Sequence, residues 1–469
     1  MTTIAQNPEL LNNLLDLLQA HRTAVGQQRV FDRIKALVFG ELLALGRHTL
    51  TQLLMALGFT QEDWTAWYRV FSKGRFSSAK TTKVLLEEAL RHFATEQVLV
   101  LGGDATQTPR TSATIEGVGY QVCHRTPPYQ RGVHLAQRWF HGALFLPAEQ
   151  GFSRAMPLQF MPAFTEKAYC CTCTPMREWE AALQFLEQTR KQLKELKREN
   201  QPLLFLADGS YDTVAFWKGL PEGCNALIRS SKNRALYHLP PLPKHGNRKY
   251  GTRAPTPQDF LGEETGWSVC KLKLRGYERS LRYRVEGPFV REGAADRKLF
   301  LIVVGGQKYD KHGKQKYREP QPYLVNARQT ADGAWHLPFP VETLLFWAWQ
   351  RWELEVVHRE LKSNLGLGEK QAWHPQAAVS TVQWSAWVYA VLILAGYKTW
   401  GITGGPRTQT AWWSGGQRWS FNTLMRHYRA AVGGGHIFQA SWFTIQDNLP
   451  EKIPSWLDLR NALYGSARL

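Results

Sequence analysis

The sequence predicts a multidomain protein with an α-helical N-terminal domain, an α/β core interrupted by a β-rich insertion, and a helical C-terminal region. Helical periodicity fills the first part of the chain, two short apolar runs that end in aspartates flank a charged helix, and a basic stretch with strand alternation follows. In chain order, we predict the helical domain, the first core segment, the insertion, the second core segment and the C-terminal region at 1–95, 96–224, 225–330, 331–400 and 401–469.

The composition indicates a polyanionic partner. Lys and Arg number 58 against 39 Asp and Glu, which gives a formal charge of +19 over 469 residues. Nucleic acid is the commonest partner of so basic a chain. The charge alone leaves open a generically basic soluble protein without such a partner.

The cysteines and the apolar segments indicate a reducing compartment and no membrane. Six cysteines follow no regular framework, so we interpret them as reduced thiols of a cytosolic protein. A zinc site of His124 with Cys170, Cys171 or Cys173 is the alternative. The N-terminus lacks the basic region of a signal peptide, and the apolar stretch 384–397 is too short to span a bilayer. The sequence therefore predicts a soluble, cytoplasmic protein.

The helical domain contains a candidate DNA-reading element at 49–71. Two short amphipathic runs are joined there by a Gly-Phe-Thr turn, and Thr60 is the predicted N-cap of the second run. A helix-turn-helix would place 64–69 in a DNA groove. An ordinary helical hairpin fits the same pattern.

The predicted core carries two aspartates at strand ends. The segments EQVLVLGGDATQTPR (96–110) and QPLLFLADGSYD (201–212) each read as a buried strand followed by a turn, with a charged helix at 176–200 between them. Functional groups of open α/β sheets gather at the carboxyl ends of the strands. Asp104 and Asp208 are therefore candidate site residues.

The insertion is the most basic part of the chain. Residues 225–320 hold 21 Lys and Arg and 9 Asp and Glu, and so carry +12 of the total charge. The segment KLKLRGYERSLRYRVEG (271–287) alternates basic and apolar residues, which predicts a strand with one face for a core and one for phosphates. Its candidate DNA contacts are Lys271, Lys273 and Arg275.

The predicted helix RWELEVVHRELK (351–362) places its three glutamates on two different faces. At about 100° per residue, Glu355 and Lys362 fall within about 40° of Arg351, in a polar stripe between apolar neighbours that include Trp352. Glu353 and Glu360 fall near 200°, which predicts that they face solvent. A carboxylate between apolar neighbours needs a partner, so Glu355 either forms a buried salt bridge or has a catalytic role.

Two aspartates and a glutamate from different elements would form a hard-oxygen site for Mg²⁺ or Mn²⁺. Two such ions about 4 Å apart can activate a water or a 3′-hydroxyl for attack on a phosphodiester. The polar stripe beside Glu355 would then hold the DNA backbone.

These residues carry a family resemblance. The chain resembles bacterial insertion-sequence transposases of the DDE type, in the group whose third-carboxylate helix reads Y-x2-R-x3-E-x6-K. Arg351, Glu355 and Lys362 match that spacing, whereas Ala348 stands at the tyrosine position. Asp104 and Asp208 match the first and second family carboxylates.

The resemblance implies a ribonuclease H-like catalytic domain with the insertion between the second aspartate and the glutamate. It also implies two Mg²⁺ or Mn²⁺ ions, cleavage at transposon ends, joining of the 3′-hydroxyl to target DNA, and action in the bacterial nucleoid as a homodimer on double-stranded DNA. Arg351 and Lys362 would bind phosphates near the cut, aided by their helix neighbours His358 and Arg359, and Trp267 would stack on a flipped base. A domesticated DNA-binding protein that does not cut, and a metal-dependent nuclease that does not join, are the alternatives.

Overall fold

The N-terminal part of the protein is helical, as the periodicity predicts. The computed structural model describes residues 8–123, 130, 132–241, 248–311, 314–406, 412 and 416–434. The first five helices are α1 (Pro8–Ala20), α2 (Gln28–Leu43), α3 (Leu50–Ala56), α4 (Thr65–Ser72) and α5 (Ser78–Leu90).

The candidate DNA-reading element differs from the prediction at its second helix. The helix α4 begins at Thr65, whose backbone N–H donates to Asp63 Oδ1 at 2.8 Å, so the predicted N-cap at Thr60 is wrong. Trp67 is buried, whereas Tyr68 is 44% exposed. Part of the segment that was predicted to enter a groove is therefore used to pack the protein interior.

A large mixed sheet follows the helices. Its strands are β1 (Leu99–Pro109), β2 (Val118–Val122), β3 (Val133–Phe145), β4 (Ala155–Pro162), β5 (Leu203–Ala207), β6 (Cys224–Arg229), β7 (Tyr237–His238), β8 (Ser268–Leu274), β9 (Tyr277–Arg291), β10 (Ala294–Val304) and β13 (Gln321–Asn326). The order is β2-β3-β1-β5-β6-β13-β10-β9-β7, with β4 paired to β3 and β8 paired to β9. The strands β1, β5 and β6 are parallel to one another, and the other pairings are antiparallel.

Two small sheets and seven helices complete the described structure. The small sheets pair β11 (Gln307–Lys311) with β12 (Lys314–Arg318), and β14 (Arg328–Gln329) with β15 (Trp335–His336). The helices are α6 (Glu178–Glu195), α7 (Val214–Gly219), α8 (Pro257–Leu261), α9 (Val341–Gln350), α10 (Trp352–Asn364), α11 (Pro375–Trp400) and α12 (Phe421–Gly434).

The strands of the predicted insertion extend the core sheet. Strand β13 pairs with β6, with Leu324 opposite Ile228, and β10 then pairs with β13. Sequence periodicity predicts strands but not their partners, so it did not show that the region 225–330 continues the core sheet.

The helix α11 is the apolar centre of the helical layer. It is longer than the apolar stretch 384–397, and with a mean hydropathy of 1.5 over its most apolar window it is long and apolar enough to cross a membrane. However, 89% of that window is buried inside the protein, as in the core helix of a globular protein. The helices α1, α4 and α5 pack against it, so the N-terminal helices share one hydrophobic core with the sheet.

Two adjacent glycines allow helices to pack closely on both faces of the sheet. A methyl group at Gly102 would lie 3.0 Å from Leu354 of α10, and one at Gly103 would lie 2.8 Å from Phe140 Cε2. Phe140 in turn packs on Phe185 of α6. The helices α10 and α6 therefore cover opposite faces of β1 and its neighbours.

Replacement of Gly103 by alanine should destabilise the protein by about 1–3 kcal/mol, because the added methyl group overpacks this aromatic layer. Gly119→Ala is the matched control on β2, where an added methyl group would come no closer than 3.5 Å to Ala168. Urea denaturation of both variants measures the effect. Equal stability of the two variants would contradict this account of the packing.

Candidate active site

The first two candidate carboxylates stand on neighbouring strands. The parallel register of β1 and β5 pairs Gly102 with Leu206, and Asp104 and Asp208 follow each of these residues by two positions. Because side chains alternate along a strand and neighbouring strands lie about 4.8 Å apart, both aspartates fall on the face that α10 covers. The prediction that β1 ends at Asp104 is wrong, because the strand continues to Pro109, although its parallel pairing with β5 stops at Gly102. Asp208 directly follows the end of β5, as predicted.

The helix α10 brings Glu355 to the same place. Arg351 Nη2 lies 3.1 Å from Glu355 Oε1, and Arg351 Nη1 lies 3.9 Å from Asp104 Oδ2. The Glu355 side chain is 37% exposed, so it is not the buried salt bridge that the sequence left open. One arginine thus stands between two of the three carboxylates.

The electrostatics of Asp104 show that the three carboxylates act on one another. Burial raises the pKa of Asp104 to about 6; the charge of Arg351 opposes this rise, and the charges of Asp208 and Glu355 add to it. The side chain is 16% exposed. Asp104 is therefore a carboxylate whose ionised form lacks full compensation within the protein.

A cavity opens beside Asp104. Its volume is about 320 Å³. Glu355, His358 and Lys362 line one wall, and the other wall is formed by β1 and β3 residues: Asp104, Ala105, Thr106, Gln107, Pro109, His134 and Arg138. The β3 residues could not be predicted from the sequence, because their approach depends on pairing across the sheet.

The predicted phosphate contact His358 has a different setting from the one expected. Its Nε2 hydrogen-bonds to Nδ1 of the buried His141 at 2.9 Å, and its Nδ1 lies 4.0 Å from Asp104 Oδ2. Burial lowers the pKa of His358 well below its usual value and that of His141 to about 3. The low pKa favours the neutral His358 ring, and its contact with DNA stays a prediction.

The helical wheel placed two glutamates of α10 wrongly. Glu353 is 3% exposed and accepts a hydrogen bond from Arg418 Nη2 at 2.9 Å, and Glu360 accepts one from Tyr389 Oη at 2.6 Å. Trp352, which was expected to flank the polar stripe, is 49% exposed. The physical reason is a second layer: α11 and the segment 416–421 cover the face of α10 that is turned away from the sheet.

The remaining predicted DNA contacts on α10 and on β8 with its following turn differ in their surroundings. Arg359 is exposed. Lys271 and Lys273 are exposed between buried Cys270, Leu272 and Leu274, as the alternation predicts, and they pair with Glu278 and Gln150, respectively. Arg275 occupies the β8–β9 turn with a positive φ of 52°.

Trp267 is engaged within the protein. Its indole N–H donates to the Glu263 carbonyl at 2.8 Å, and the Arg282 guanidinium lies 4.4 Å from the ring centroid. One face of the ring is thus covered by a cation, which does not favour the predicted role in stacking on a flipped base.

A fourth acidic residue, four positions after Asp208, is structural. Asp212 is 4% exposed and accepts hydrogen bonds from Ser230 Oγ at 2.7 Å and Trp217 Nε1 at 3.0 Å. It also forms ion pairs with Arg234 and Arg291. Its oxygens are fully used, which leaves Asp208 as the candidate in the segment LADGSYD.

The donor set of the site suits a hard divalent cation. Asp104, Asp208 and Glu355 offer only carboxylate oxygens. A cation would compensate the negative charge of Asp104, which burial disfavours. In the described part of the chain, no three His, Cys, Asp or Glu side chains are already grouped closely enough to hold an ion. Glu355 is held by Arg351, and Asp208 accepts from Ser210 Oγ at 2.6 Å.

The cysteine segment is organised by a carboxylate. Buried Glu116 accepts hydrogen bonds from the backbone N–H groups of Cys171, Thr172 and Cys173 at 2.7–2.8 Å. Burial raises the pKa of the Cys170 thiol to about 11, so it stays protonated. His124 lies outside the described residues, and the described ones give the zinc alternative no support.

Asp104→Asn should stabilise the protein in the absence of metal at neutral pH. The folded-state pKa of about 6 exceeds the ordinary value of 3.8, so the favourable contribution of the protonated group is present below about pH 4 and is lost as pH rises through about 6. The difference corresponds to about 3 kcal/mol at pH 8. Urea denaturation in EDTA at pH 4 and pH 8 measures it, with Asp296→Asn on the surface of β10 as control. A variant less stable than the parent at pH 8 would contradict the prediction.

Comparison with known proteins identifies the family. No curated protein matches the chain. A cryo-EM structure of a piggyBac transposase synaptic complex with hairpin DNA is similar at a TM-score of 0.40 and 9% identity, covering 97% of this chain and 82% of that one. The family described as DDE superfamily endonuclease matches residues 21–286, more than half of the chain. The protein therefore belongs to the DDE superfamily endonuclease family.

Proposed function

We propose that the protein is a DNA transposase that binds the terminal repeats of a transposon, cleaves DNA there and joins the freed 3′-hydroxyl to target DNA. The observation that carries the proposal is the position of Asp104 on β1 and of Asp208 directly after the neighbouring parallel strand β5, with a pKa of Asp104 that responds to the charges of Asp208 and Glu355. The family membership supports the cleavage step.

The three carboxylates would hold two Mg²⁺ or Mn²⁺ ions. Bound ions of this kind make a water or a 3′-hydroxyl nucleophilic at neutral pH and stabilise the leaving oxygen. Asp104 is ionised above about pH 6 and so is ready to serve as a ligand at neutral pH. Before metal binds, Arg351 partly compensates the like charges of Asp104 and Glu355. Arg351 and Lys362 also bind the phosphate that enters the cavity.

The catalytic core of this proposal is ribonuclease H-like. The mixed sheet, covered by α6 on one face and α10 on the other, supports that assignment. We further propose that the enzyme acts as a homodimer on paired DNA ends in a bacterial nucleoid.

Cleavage and joining are tested on a duplex that carries the inverted repeats flanking the gene. The full-length protein is incubated with this duplex and Mg²⁺, and nicked and 3′-end-joined products are separated. Both products are expected. Cleavage without joining would replace the proposal with a nuclease, and sequence-specific binding without cleavage would replace it with a DNA-binding protein that does not cut.

A further inference from the structure

The hairpin of β11 and β12 stands apart from the large sheet. It forms its own two-stranded sheet, with Lys308 opposite Tyr317 and Gln307 opposite Arg318. It connects β10 to β13, which are already neighbours in the large sheet with Val304 opposite Gln321. A two-residue turn would suffice for that connection, so the residues 305–320 extend the protein beyond what the sheet requires.

The topology places this hairpin at the edge of the sheet that carries the carboxylates. The strands β5 and β6 are parallel, and β13 runs antiparallel to β6, so β13 begins at the edge where β5 and β6 end. Strand β10 runs antiparallel to β13 and ends there too. At about 4.8 Å per strand, the base of the hairpin lies roughly 10–14 Å along this edge from Asp208.

Side chains at the base of the hairpin join it to the site. The Arg318 guanidinium lies 3.7 Å from the ring centroid of Trp349 on α9, the helix that precedes α10. Arg229 stands opposite Tyr323 in the register of β6 and β13. Burial raises the pKa of Tyr323, and the charges of Arg229, Arg351 and Arg318 all lower it, so the three cations act on the same phenol. A row of positive charge thus leads from Arg351 beside the carboxylates to the hairpin.

The hairpin itself is strongly basic. Residues 307–318 include five Lys and Arg and one Asp. Lys308 and Lys316 are exposed, and Tyr317 is 54% exposed. An isolated two-stranded ribbon has little stability of its own in water, and the cation–π contact of Arg318 with Trp349 holds its base in place.

We propose that the described strands of this ribbon, 307–311 and 314–318, bind the major groove of duplex DNA beside the scissile phosphate. The major groove is about 12 Å wide and admits a two-stranded ribbon, whereas the minor groove is about 6 Å wide. At about 3.4 Å per base pair, the contact lies roughly three or four base pairs from the cut. The inference rests on the proposed function, and it assigns a DNA contact to residues outside the catalytic helix and outside the β8 surface.

Two variants of the full-length protein test the ribbon. Lys308→Ala/Lys316→Ala removes two exposed charges and leaves the Arg318–Trp349 contact in place. A shortened variant replaces 305–320 with Asn-Gly and closes β10 and β13 by a two-residue turn. The matched control is Lys191→Ala/Lys194→Ala, which removes two exposed lysines from α6 on the opposite face of the sheet.

The readouts are the affinity for the inverted-repeat duplex at several KCl concentrations and interference by methylation of guanine N7, which lies in the major groove. The register places Lys308 and Lys316 on opposite faces of the ribbon, so one of the two faces the groove. We expect the double variant to bind about fivefold more weakly and its log–log salt slope to fall by about 1, while the α6 control keeps both values. N7 methylation a few base pairs from the cut should weaken binding by the parent and not by the shortened variant.

Parental affinity and salt slope in the double variant, together with no N7 interference near the cut, would overturn the inference. If the shortened variant fails to fold, the double variant and the interference pattern of the parent still test whether the ribbon binds DNA. A parent that binds and cuts while the ribbon variants match it refutes the ribbon alone. A parent that neither binds nor cuts refutes the proposed function, and the ribbon inference with it.

Discussion

Glu355→Gln should reduce Mg²⁺-dependent DNA cleavage by about a thousandfold or more without unfolding the protein. The substitution keeps the shape of the side chain and an oxygen that Arg351 can donate to, but it removes the negative charge that a divalent cation needs. Loss of charge complementarity at a reacting centre typically costs two to three orders of magnitude, and loss of a metal adds to that. The rate of nicking of the inverted-repeat duplex measures the effect.

The controls for this experiment separate a catalytic from a structural loss. Glu342→Gln, at an exposed position in the first turn of α9, should cut at the parental rate. Asp104→Asn should lose cleavage as Glu355→Gln does, and should also gain stability in the absence of metal. If Glu355→Gln cuts and joins as well as the parent, the assignment of the site is wrong.

The sign of a stability change distinguishes the acids of this protein. Asp212 is satisfied by two arginines, a serine and a tryptophan, so its removal should only destabilise. Asp104 is buried with one arginine at 3.9 Å and two other carboxylates acting on it, so its charge costs stability. An acid that costs folding free energy is typical of a functional site, where strain is tolerated for the sake of a ligand.

The sequence predicted those parts of the site that depend on local patterns. The buried runs before Asp104 and Asp208 predicted two strands, and the parallel register of β1 and β5 brings the two aspartates near each other, although β1 continues past Asp104 to Pro109. The wheel of α10 likewise turned Glu355 and Lys362 towards one cavity. Neither step needs knowledge of distant residues beyond the assumption that the two strands pair.

The predictions failed where residues from other elements of the fold cover the side chains of α10. The wheel placed Glu353 on the solvated face, but Arg418, 65 residues further along the chain, covers it. His358 was predicted only as a DNA contact, and its hydrogen bond with the buried His141, opposite Asp104 on β3, was not anticipated. In each case the contacting residue belongs to another element of the fold, and the periodicity of α10 does not indicate that this element packs against it.

Glu41→Gln should destabilise the protein by about 3–5 kcal/mol, the other large effect that we expect. Glu41 on α2 is fully buried, and its carboxylate pairs with Lys370 Nζ at 2.7 Å and His48 Nδ1 at 2.7 Å. It also accepts from Trp384 Nε1 of α11 at 2.9 Å. The neutral amide would leave the ammonium of Lys370, whose side chain is 4% exposed, without a counter-charge in the interior.

The pH dependence follows from the same contacts. Burial raises the pKa of Glu41, but the charge of Lys370 and the hydrogen bond with His48 outweigh it and hold the pKa below its usual value. A depressed carboxyl pKa contributes stability above the ordinary pKa of about 4.5, and that contribution is lost as pH falls below it. The gap between parent and Glu41→Gln should therefore be widest near neutral pH and narrow in acid.

A double variant shows whether the unpaired lysine causes the loss. Glu41→Gln/Lys370→Met removes both charges and should recover part of the stability that Glu41→Gln loses, because no buried ammonium remains. Glu9→Gln on the exposed face of α1 is the control and should match the parent. Urea denaturation at pH 7 and pH 4 measures all four proteins. A loss below about 1 kcal/mol in Glu41→Gln, or no recovery in the double variant, would show that Glu41 and Lys370 do not depend on each other for their burial.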